Sequence, residues 1–281
     1  MKKIIALLLA VCMIAAFAGC AKSDTAATTE APTTEAPTET TEEVTAPVEA
    51  EGDVMSHADY MAAELDSPVC IETYVQAHQS WWDNKLTVYA QSEDGAYFIY
   101  NMECSEEDAA KLVPGTKIRV NGYKTEWSGE VEIAEGATFE ILEGSYIAEP
   151  QDITGGLGAQ NLIDWQNAKI SVSGLTVVAA NDEGAAFLYN WDGSGAAGNN
   201  NDLYFNVSDG TNTYTFTVES YLCGEGTDVY TTVTNLNVGD VIDVEGFLYW
   251  YNGANTHLTK VTVVTPAPEA EADAQNETAE E

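Results

Sequence analysis

The chain has 281 residues, of which 46 are acidic and ten are basic, and its net charge at pH 7 is −36. The charge is not confined to the ends of the chain, because residues 53–266 contain 32 acidic and seven basic side chains. A negative field of this size disfavours nucleic acid and anionic polymers as partners, attracts cations and favours solubility.

Two lysines followed by an apolar run over residues 4–18 open the chain in the manner of a secretory signal peptide. The run is shorter than the ~20 apolar residues that span a bilayer. It ends in Phe17-Ala18-Gly19-Cys20, which resembles the bacterial lipobox, with Phe17 where that motif usually has leucine. The resemblance implies that residues 1–19 are removed as a signal peptide and that Cys20 carries a diacylglycerol anchor. We therefore expect a lipoprotein on the extracytoplasmic face of the cell membrane.

Composition divides the rest of the chain into a linker, two domains and a tail. Residues 20–52 are rich in Thr, Glu, Pro and Ala without apolar periodicity, which predicts a disordered linker after the lipidated cysteine. The acidic residues 267–281 predict a disordered tail. Between them we predict a first domain over residues 53–148 and a second over residues 149–266.

Two copies of one pattern, each of about 100 residues, follow one another in this folded region. The first copy begins with a helix signal, because Ser56 and Asp59 have the spacing of an N-terminal cap. A β-rich run over residues 69–75 comes next. A hairpin is predicted over residues 86–100, where Asp94-Gly95 separates two apolar runs.

The second copy repeats these elements in the same order. Residues 159–165 carry the helical signal, residues 169–178 the β-rich run, and residues 203–218 the hairpin around Asp209-Gly210. Apolar residues alternate along both arms of this hairpin, which predicts strands with one buried face.

A short helix and a glycine-containing strand follow each hairpin. The helices are predicted over residues 105–112 and 227–233, and the strands over residues 113–123 and 237–247. The glycines of the two strands align, as does an inward Ile-x-Val pair, and a last hairpin completes both copies. The predicted fold is therefore all-β with short helices.

This order of strand, hairpin, helix, glycine-containing strand and hairpin resembles the OB-fold family, a five-stranded Greek-key barrel with a helix between its third and fourth strands. The resemblance covers both copies and implies two tandem OB-like barrels with a binding face across the second and third strands. A β-sandwich or a jelly roll with the same number of strands is the alternative.

Aromatic side chains are the best candidates for ligand binding, because their flat apolar faces and polar edges suit sugars and peptides. The candidates are Trp81, Trp82, Tyr89, Trp127, Trp191, Tyr204, Trp250 and Tyr251. The alternative for each tryptophan is that it closes a barrel end or forms the contact between the domains.

Nucleic acid is a weaker candidate for the ligand than carbohydrate or a protein partner. Lys117, Arg119 and Lys124 belong to the only basic cluster of the sequence, and the second copy has Val241 and Asp243 at the positions of the first two. A duplicated nucleic-acid groove is thus disfavoured, because such grooves need a basic track along the backbone.

Residues 192–202 form a glycine- and asparagine-rich segment whose oxygen atoms could hold Ca²⁺. The weak candidates are Asp192, Asn199 and Asp202, but the spacing of an EF-hand is lacking. We interpret the segment as a flexible loop and predict neither a metal nor a cofactor.

The sequence does not predict an enzyme, because its three histidines lack metal-ligand spacing and no Gly-x-Ser-x-Gly motif occurs. Glu130 and Glu132 could form an acid and base pair, although a chain with 46 carboxylates places such pairs together by chance. We therefore predict a non-enzymatic surface lipoprotein whose OB-like domains bind carbohydrate or a protein partner. The alternatives are a hydrolase of surface polymers and single-stranded nucleic-acid binding by the first domain.

Overall fold

The structure, a computed structural model, describes residues 53–268. The expected signal peptide, the acylation site Cys20 and the linker up to residue 52 lie outside the described residues, as does the tail beyond Pro268. Within residues 53–268, no helix is both long enough and apolar enough to cross a membrane.

Six strands and two short helices make up the first half of the fold. They are α1 His57–Ala62, β1 Pro68–His78, β2 Lys85–Gln91, β3 Ala96–Glu103, α2 Glu106–Ala109, β4 Thr116–Trp127, β5 Glu130–Ile133 and β6 Thr138–Ser145. Both helices begin at the caps that the sequence predicts. The hydroxyl groups of Ser56 and Ser105 accept hydrogen bonds from the backbone N–H groups of Asp59 and Asp108.

The strands of the first half close into a barrel. β1 pairs antiparallel with both β2 and β4, and β2 pairs antiparallel with β3. β3 pairs parallel with β5, which pairs antiparallel with β4. The order β1-β2-β3-β5-β4 therefore returns to β1, while β6 continues the fifth strand along the other half of β4.

The second half contains seven strands, two turns of 3-10 helix and one α-helix. They are β7 Gln151–Asp152, 3-10 helices Thr154–Gly156 and Leu162–Trp165, β8 Lys169–Val178, β9 Leu188–Tyr189, β10 Leu203–Ser208, β11 Thr213–Val218, α3 Asp228–Thr234, β12 Val241–Phe247 and β13 His257–Thr265. The helical signal over residues 159–165 thus becomes a 3-10 helix. Thr227 caps α3 by accepting a hydrogen bond from the N–H of Tyr230.

The second half closes in the same order as the first. β8 pairs with β10 and β12, β10 pairs with β11, β11 runs parallel to β13, and β13 pairs antiparallel with β12. Each barrel surrounds its own apolar core. The predicted all-β fold with two tandem five-stranded Greek-key barrels of the OB type is therefore confirmed. A sandwich or jelly roll is excluded, because its strands would form two packed sheets.

A third apolar cluster, which we call the inter-barrel cluster, joins the two barrels through Tyr89 and Phe98 of the first and Phe247 of the second. The rings of Tyr89 and Phe247 stack with their centroids 4.7 Å apart. The Tyr89 hydroxyl group lies 2.7 Å from Nδ1 of His257. Burial lowers the pKa of His257 to about 3, so a neutral imidazole ring makes this hydrogen bond with the Tyr89 hydroxyl group.

Hydrogen bonds surround this cluster and fix how the barrels meet. The Gln166 side chain accepts a hydrogen bond from the N–H of Val131 at 2.9 Å and donates one to the carbonyl oxygen of Gly129 at 2.7 Å. The N–H of Lys169 donates to the side chain of Gln91 at 2.8 Å. These hydrogen bonds and the inter-barrel cluster hold the two barrels together as one packed body.

Candidate binding groove on the second barrel

A groove with a volume of about 630 Å³ opens on the outer face of the second barrel. Its floor is formed by β10 and β11, the second and third strands of the barrel, and its walls by the β9–β10 loop, the β12–β13 loop and the segment around Leu162. This is the face on which OB-folds bind their ligands, and the volume lies in the range of small-molecule sites.

The alternating sequence of β10 creates the floor. Leu203, Phe205 and Val207 are buried in the core of the barrel, so Tyr204 and Asn206 point to the opposite face and line the groove. The Asn206 side chain is held by two hydrogen bonds, one from the Thr215 hydroxyl group at 2.8 Å and one to a backbone carbonyl oxygen.

Two loops bring further aromatic side chains to the groove. Trp191, on the β9–β10 loop, has 76% of its surface exposed. Trp250 and Tyr251 lie on the β12–β13 loop, and Tyr214 comes from β11. Five aromatic rings therefore surround the groove when Tyr204 is included.

The β9–β10 loop is held by hydrogen bonds to the segment between β11 and α3. One carboxylate oxygen of Asp202 accepts hydrogen bonds from the N–H and the hydroxyl group of Ser220, at 2.8 and 2.6 Å. Glu225 accepts from the N–H groups of Gly198 and Asn200. Pairing of this kind fixes the loop that carries Trp191 and gives its glycine- and asparagine-rich sequence a structural role.

The three weak calcium candidates do not converge on one point. Asp192 accepts a hydrogen bond from the N–H of Ser194, Asp202 is bound to Ser220, and Asn199 is exposed. Within residues 53–268, no group of three or more His, Cys, Asp or Glu side chains is placed to hold a metal ion.

The groove differs in charge from the rest of the protein. In the part of the chain that the structure describes, its lining contains no charged side chain, and its polar side-chain groups are the hydroxyl groups of Thr and Tyr, the amides of Asn and the indole N–H groups of Trp. Burial, together with Asp202 and Glu219, raises the pKa of Tyr204 to about 12, so its hydroxyl group stays neutral and can donate a hydrogen bond.

Trp250 connects the groove to the first barrel. Its backbone N–H donates to Oε2 of Glu130 at 2.8 Å. Its indole lies against Gly129, where an added Cβ atom would be 2.9 Å from Cδ1 of the ring. The next turn of the β12–β13 loop is held by a 2.7 Å hydrogen bond from the N–H of Asn252 to the carbonyl oxygen of Ser128. The β4–β5 hairpin of the first barrel therefore supports one wall of the groove.

The structure brings together four of the eight aromatic candidates: Trp191, Tyr204, Trp250 and Tyr251. Of the other four, Trp82 and Trp127 are exposed on the first barrel. Trp81 packs against the first core, and its indole N–H donates to the carbonyl oxygen of Cys104 at 2.8 Å. Tyr89 is 1% exposed and belongs to the inter-barrel cluster. Tyr214 was not among the candidates, because its position opposite the buried Val207 in the hairpin predicts a side chain directed to the core.

The equivalent face of the first barrel is covered. Tyr89 on β2 and Phe98 on β3 occupy its second and third strands, and both pack against the β12–β13 region of the second barrel. A duplicated fold has thus produced one packed face and one open face.

The basic candidates are engaged within the first barrel. Glu72 accepts hydrogen bonds from Lys117 at 2.6 Å and from Arg119 at 2.7 Å. The Lys117 hydrogen bond, and then that of Arg119, hold the pKa of Glu72 below its usual value. Lys124 is buried, and its ammonium group donates to the carbonyl oxygens of Met61 and Ala63.

The carboxylate pair lies inside the contact between the barrels. Glu130 is fully buried and Glu132 is 7% exposed. Burial raises the pKa of Glu130 to about 8 and that of Glu132 to about 7. Neither carboxylate lines the groove, so the two do not face one another across an open cleft there.

Fold and site together define a protein with two tandem OB-like barrels, one of which has an open, uncharged aromatic groove. No protein-family model matches the chain, and no curated protein matches it.

Several solved structures are similar to parts of the chain. The tetrameric p202 HIN2 has 15% sequence identity and a TM-score of 0.31, with 72% of this chain and 96% of that chain covered. A murine DNA-binding protein bound with double-stranded DNA has 14% identity and a TM-score of 0.32, with 67% and 89% covered. Asparaginyl-tRNA synthetase from Pyrococcus horikoshii has 18% identity and a TM-score of 0.26, and the match covers 37% of this chain but only 20% of the synthetase. At these identities and TM-scores, the similarities assign neither an activity nor a partner to this chain.

Proposed function

We propose that this protein binds neutral carbohydrate in the groove of the second barrel and has no catalytic activity. The observation that carries the proposal is the contrast between the groove and its surroundings. Five aromatic rings and neutral hydroxyl and amide groups line the groove, on a chain whose net charge is −36.

Sugars fit such a lining for two physical reasons. The C–H face of a pyranose ring packs on the flat face of an aromatic side chain, as Trp191 and Tyr251 would allow. The sugar hydroxyl groups need both donors and acceptors, which Asn206, Thr213 and Asn255 provide. An anionic polymer would instead be repelled by the acidic exterior around the groove.

The proposed place of action is the outer face of the cell membrane, with the barrels attached through an acylated Cys20. The support is the lipobox-like sequence after a short apolar run. Mass spectrometry of the N-terminal peptide should find a diacylglycerol adduct on Cys20. Cys20→Ser should move the protein out of the membrane fraction, and retention of this variant in the membrane would refute the anchor.

Binding can be tested with the full chain purified in a detergent that contains no sugar. We expect pull-down by at least one of cellulose, chitin, xylan, mannan or starch. Trp191→Ala should weaken binding by about tenfold or more, because it removes an exposed ring that the core does not need.

Trp82→Ala is the matched control, because Trp82 is 66% exposed but lies on the first barrel outside the groove. It should leave binding unchanged. A single-stranded oligonucleotide serves as the competing probe. Absence of binding to every polysaccharide would refute the carbohydrate proposal, and salt-sensitive oligonucleotide binding would favour nucleic acid instead.

A further inference from the structure

The hairpin between β4 and β5 of the first barrel ends beside the groove of the second barrel. The carbonyl oxygen of Ser128, at the turn, accepts the hydrogen bond from Asn252 at 2.7 Å. Glu130 accepts the hydrogen bond from the backbone of Trp250, and Gly129 lies against the indole of the same residue. The tip of this hairpin is therefore continuous with the wall of the groove.

Trp127 is the last residue of β4 and lies directly opposite Glu130 in the register of the hairpin. Residues opposite one another in an antiparallel pair project their side chains to the same face. Since Glu130 reaches the β12–β13 loop, Trp127 projects to the side of the hairpin that carries this loop. Its indole is nevertheless 60% exposed and is not part of the groove lining.

We propose that Trp127 forms an outer subsite, so that the binding site extends from the groove of the second barrel onto the first. This inference depends on the proposed function and narrows its ligand to a neutral oligosaccharide of several units. A short sugar would occupy the groove between Trp191 and Trp250, and the following units of a longer chain would pack on Trp127.

Three observations favour a sugar chain as the occupant. The exposed indole lies on the hairpin that supports the wall of an aromatic and uncharged groove, so one type of contact would serve both parts of the site. The first barrel's own binding face is occupied by the inter-barrel cluster, which leaves this hairpin as its contribution to binding. The hairpin is fixed by hydrogen bonds to the groove wall, so the subsite is held in place before the ligand arrives.

The test compares two-unit and six-unit oligosaccharides of the cellulose, chitin, xylan and mannan series, measured by calorimetry on the full chain in a sugar-free detergent. In the series that binds, the six-unit sugar should bind more tightly than the two-unit sugar. Trp127→Ala should weaken binding of the six-unit sugar by about tenfold and leave the two-unit sugar unchanged. Trp127→Phe, which keeps a ring, should restore part of the loss.

Trp82→Ala is again the control and should change neither affinity. Trp191→Ala should weaken both sugars, because both occupy the groove. If Trp127→Ala leaves the six-unit affinity unchanged, or if the two lengths bind equally, the outer subsite is refuted while the groove function stands. If a dimer of the protein forms and Trp127→Ala abolishes it, the indole serves self-association and the proposal is overturned. If no series binds at either length, the proposed function and the subsite are both refuted.

Discussion

The two barrels have the same strand order, but their equivalent faces have opposite roles. In the first barrel, the face across β2 and β3 is buried by the inter-barrel cluster of Tyr89, Phe98 and Phe247. In the second barrel, the face across β10 and β11 is open and lined by polar and aromatic side chains. The comparison shows how one copy of a duplicated fold can become the support on which the other copy builds its site.

The burial patterns of the second strands differ in the corresponding way. β2 contains Leu86-Thr87-Val88-Tyr89-Ala90, in which every residue is buried, whereas β10 alternates between buried and partly exposed residues. A continuous buried run indicates a strand covered on both faces, and alternation indicates a strand covered on one. The partner that covers β2 is distant in the sequence.

The largest expected effect on the free energy of unfolding comes from breaking the contact that covers the β2–β3 face of the first barrel. Phe247 is 2% exposed and stacks on Tyr89. Phe247→Ala should lower the free energy of unfolding by about 3–5 kcal/mol, because it removes a buried ring and leaves a cavity. Urea denaturation followed by tryptophan fluorescence measures the loss. Trp82→Ala is the control, and a loss below about 1 kcal/mol for Phe247→Ala would mean that the barrels are joined by other contacts.

An effect of intermediate size on the free energy of unfolding is expected from Glu130, whose buried carboxyl group lies at the contact between the barrels. Burial raises the pKa of Glu130 to about 8, whereas the ordinary value is 4.5. The folded protein therefore keeps a proton that the unfolded chain releases, so stability is complete below pH 4.5 and is lost as the pH rises towards about 8. Glu130→Gln stays neutral and can still accept the hydrogen bond from Trp250.

At pH 8.5 this variant should exceed the parent protein in stability by about 1–3 kcal/mol, and the two should converge near pH 4.5. Urea denaturation at a series of pH values provides the measurement. Glu132 and Glu219, whose pKa values burial also raises to about 7, should leave a weaker decline in the variant. Parallel pH profiles for the two proteins would contradict a neutral Glu130.

The smallest effect is expected from the basic side chains of the first barrel. Lys117 and Arg119 are paired with Glu72 at the surface, and such pairs contribute little to stability. The double variant Lys117→Ala and Arg119→Ala should lower Tm by at most about 3 °C. It should leave oligosaccharide binding unchanged. A loss of oligonucleotide binding in the double variant would instead assign a nucleic-acid function to the first barrel.

Local signals explain how much of the fold could be predicted from the sequence. The caps at Ser56 and Ser105 and the Asp-Gly turns act within a few residues, and the duplication shows which segments are equivalent. The convergence of Trp191 and Trp250 was harder to predict, because their loops meet only after the barrel closes. The burial of Tyr89 could not be predicted, because it depends on the relative orientation of the two barrels.

Oxidative footprinting of the full chain, read by mass spectrometry, tests the contrast between the two faces most directly. Trp191 and Tyr251, which are 76% and 51% exposed, should be modified rapidly. Tyr89, which is 1% exposed, should be protected until the protein unfolds. Modification of Tyr89 in the folded protein at a rate close to that of Tyr251 would show that the face of the first barrel is open, and would contradict the division of roles between the barrels.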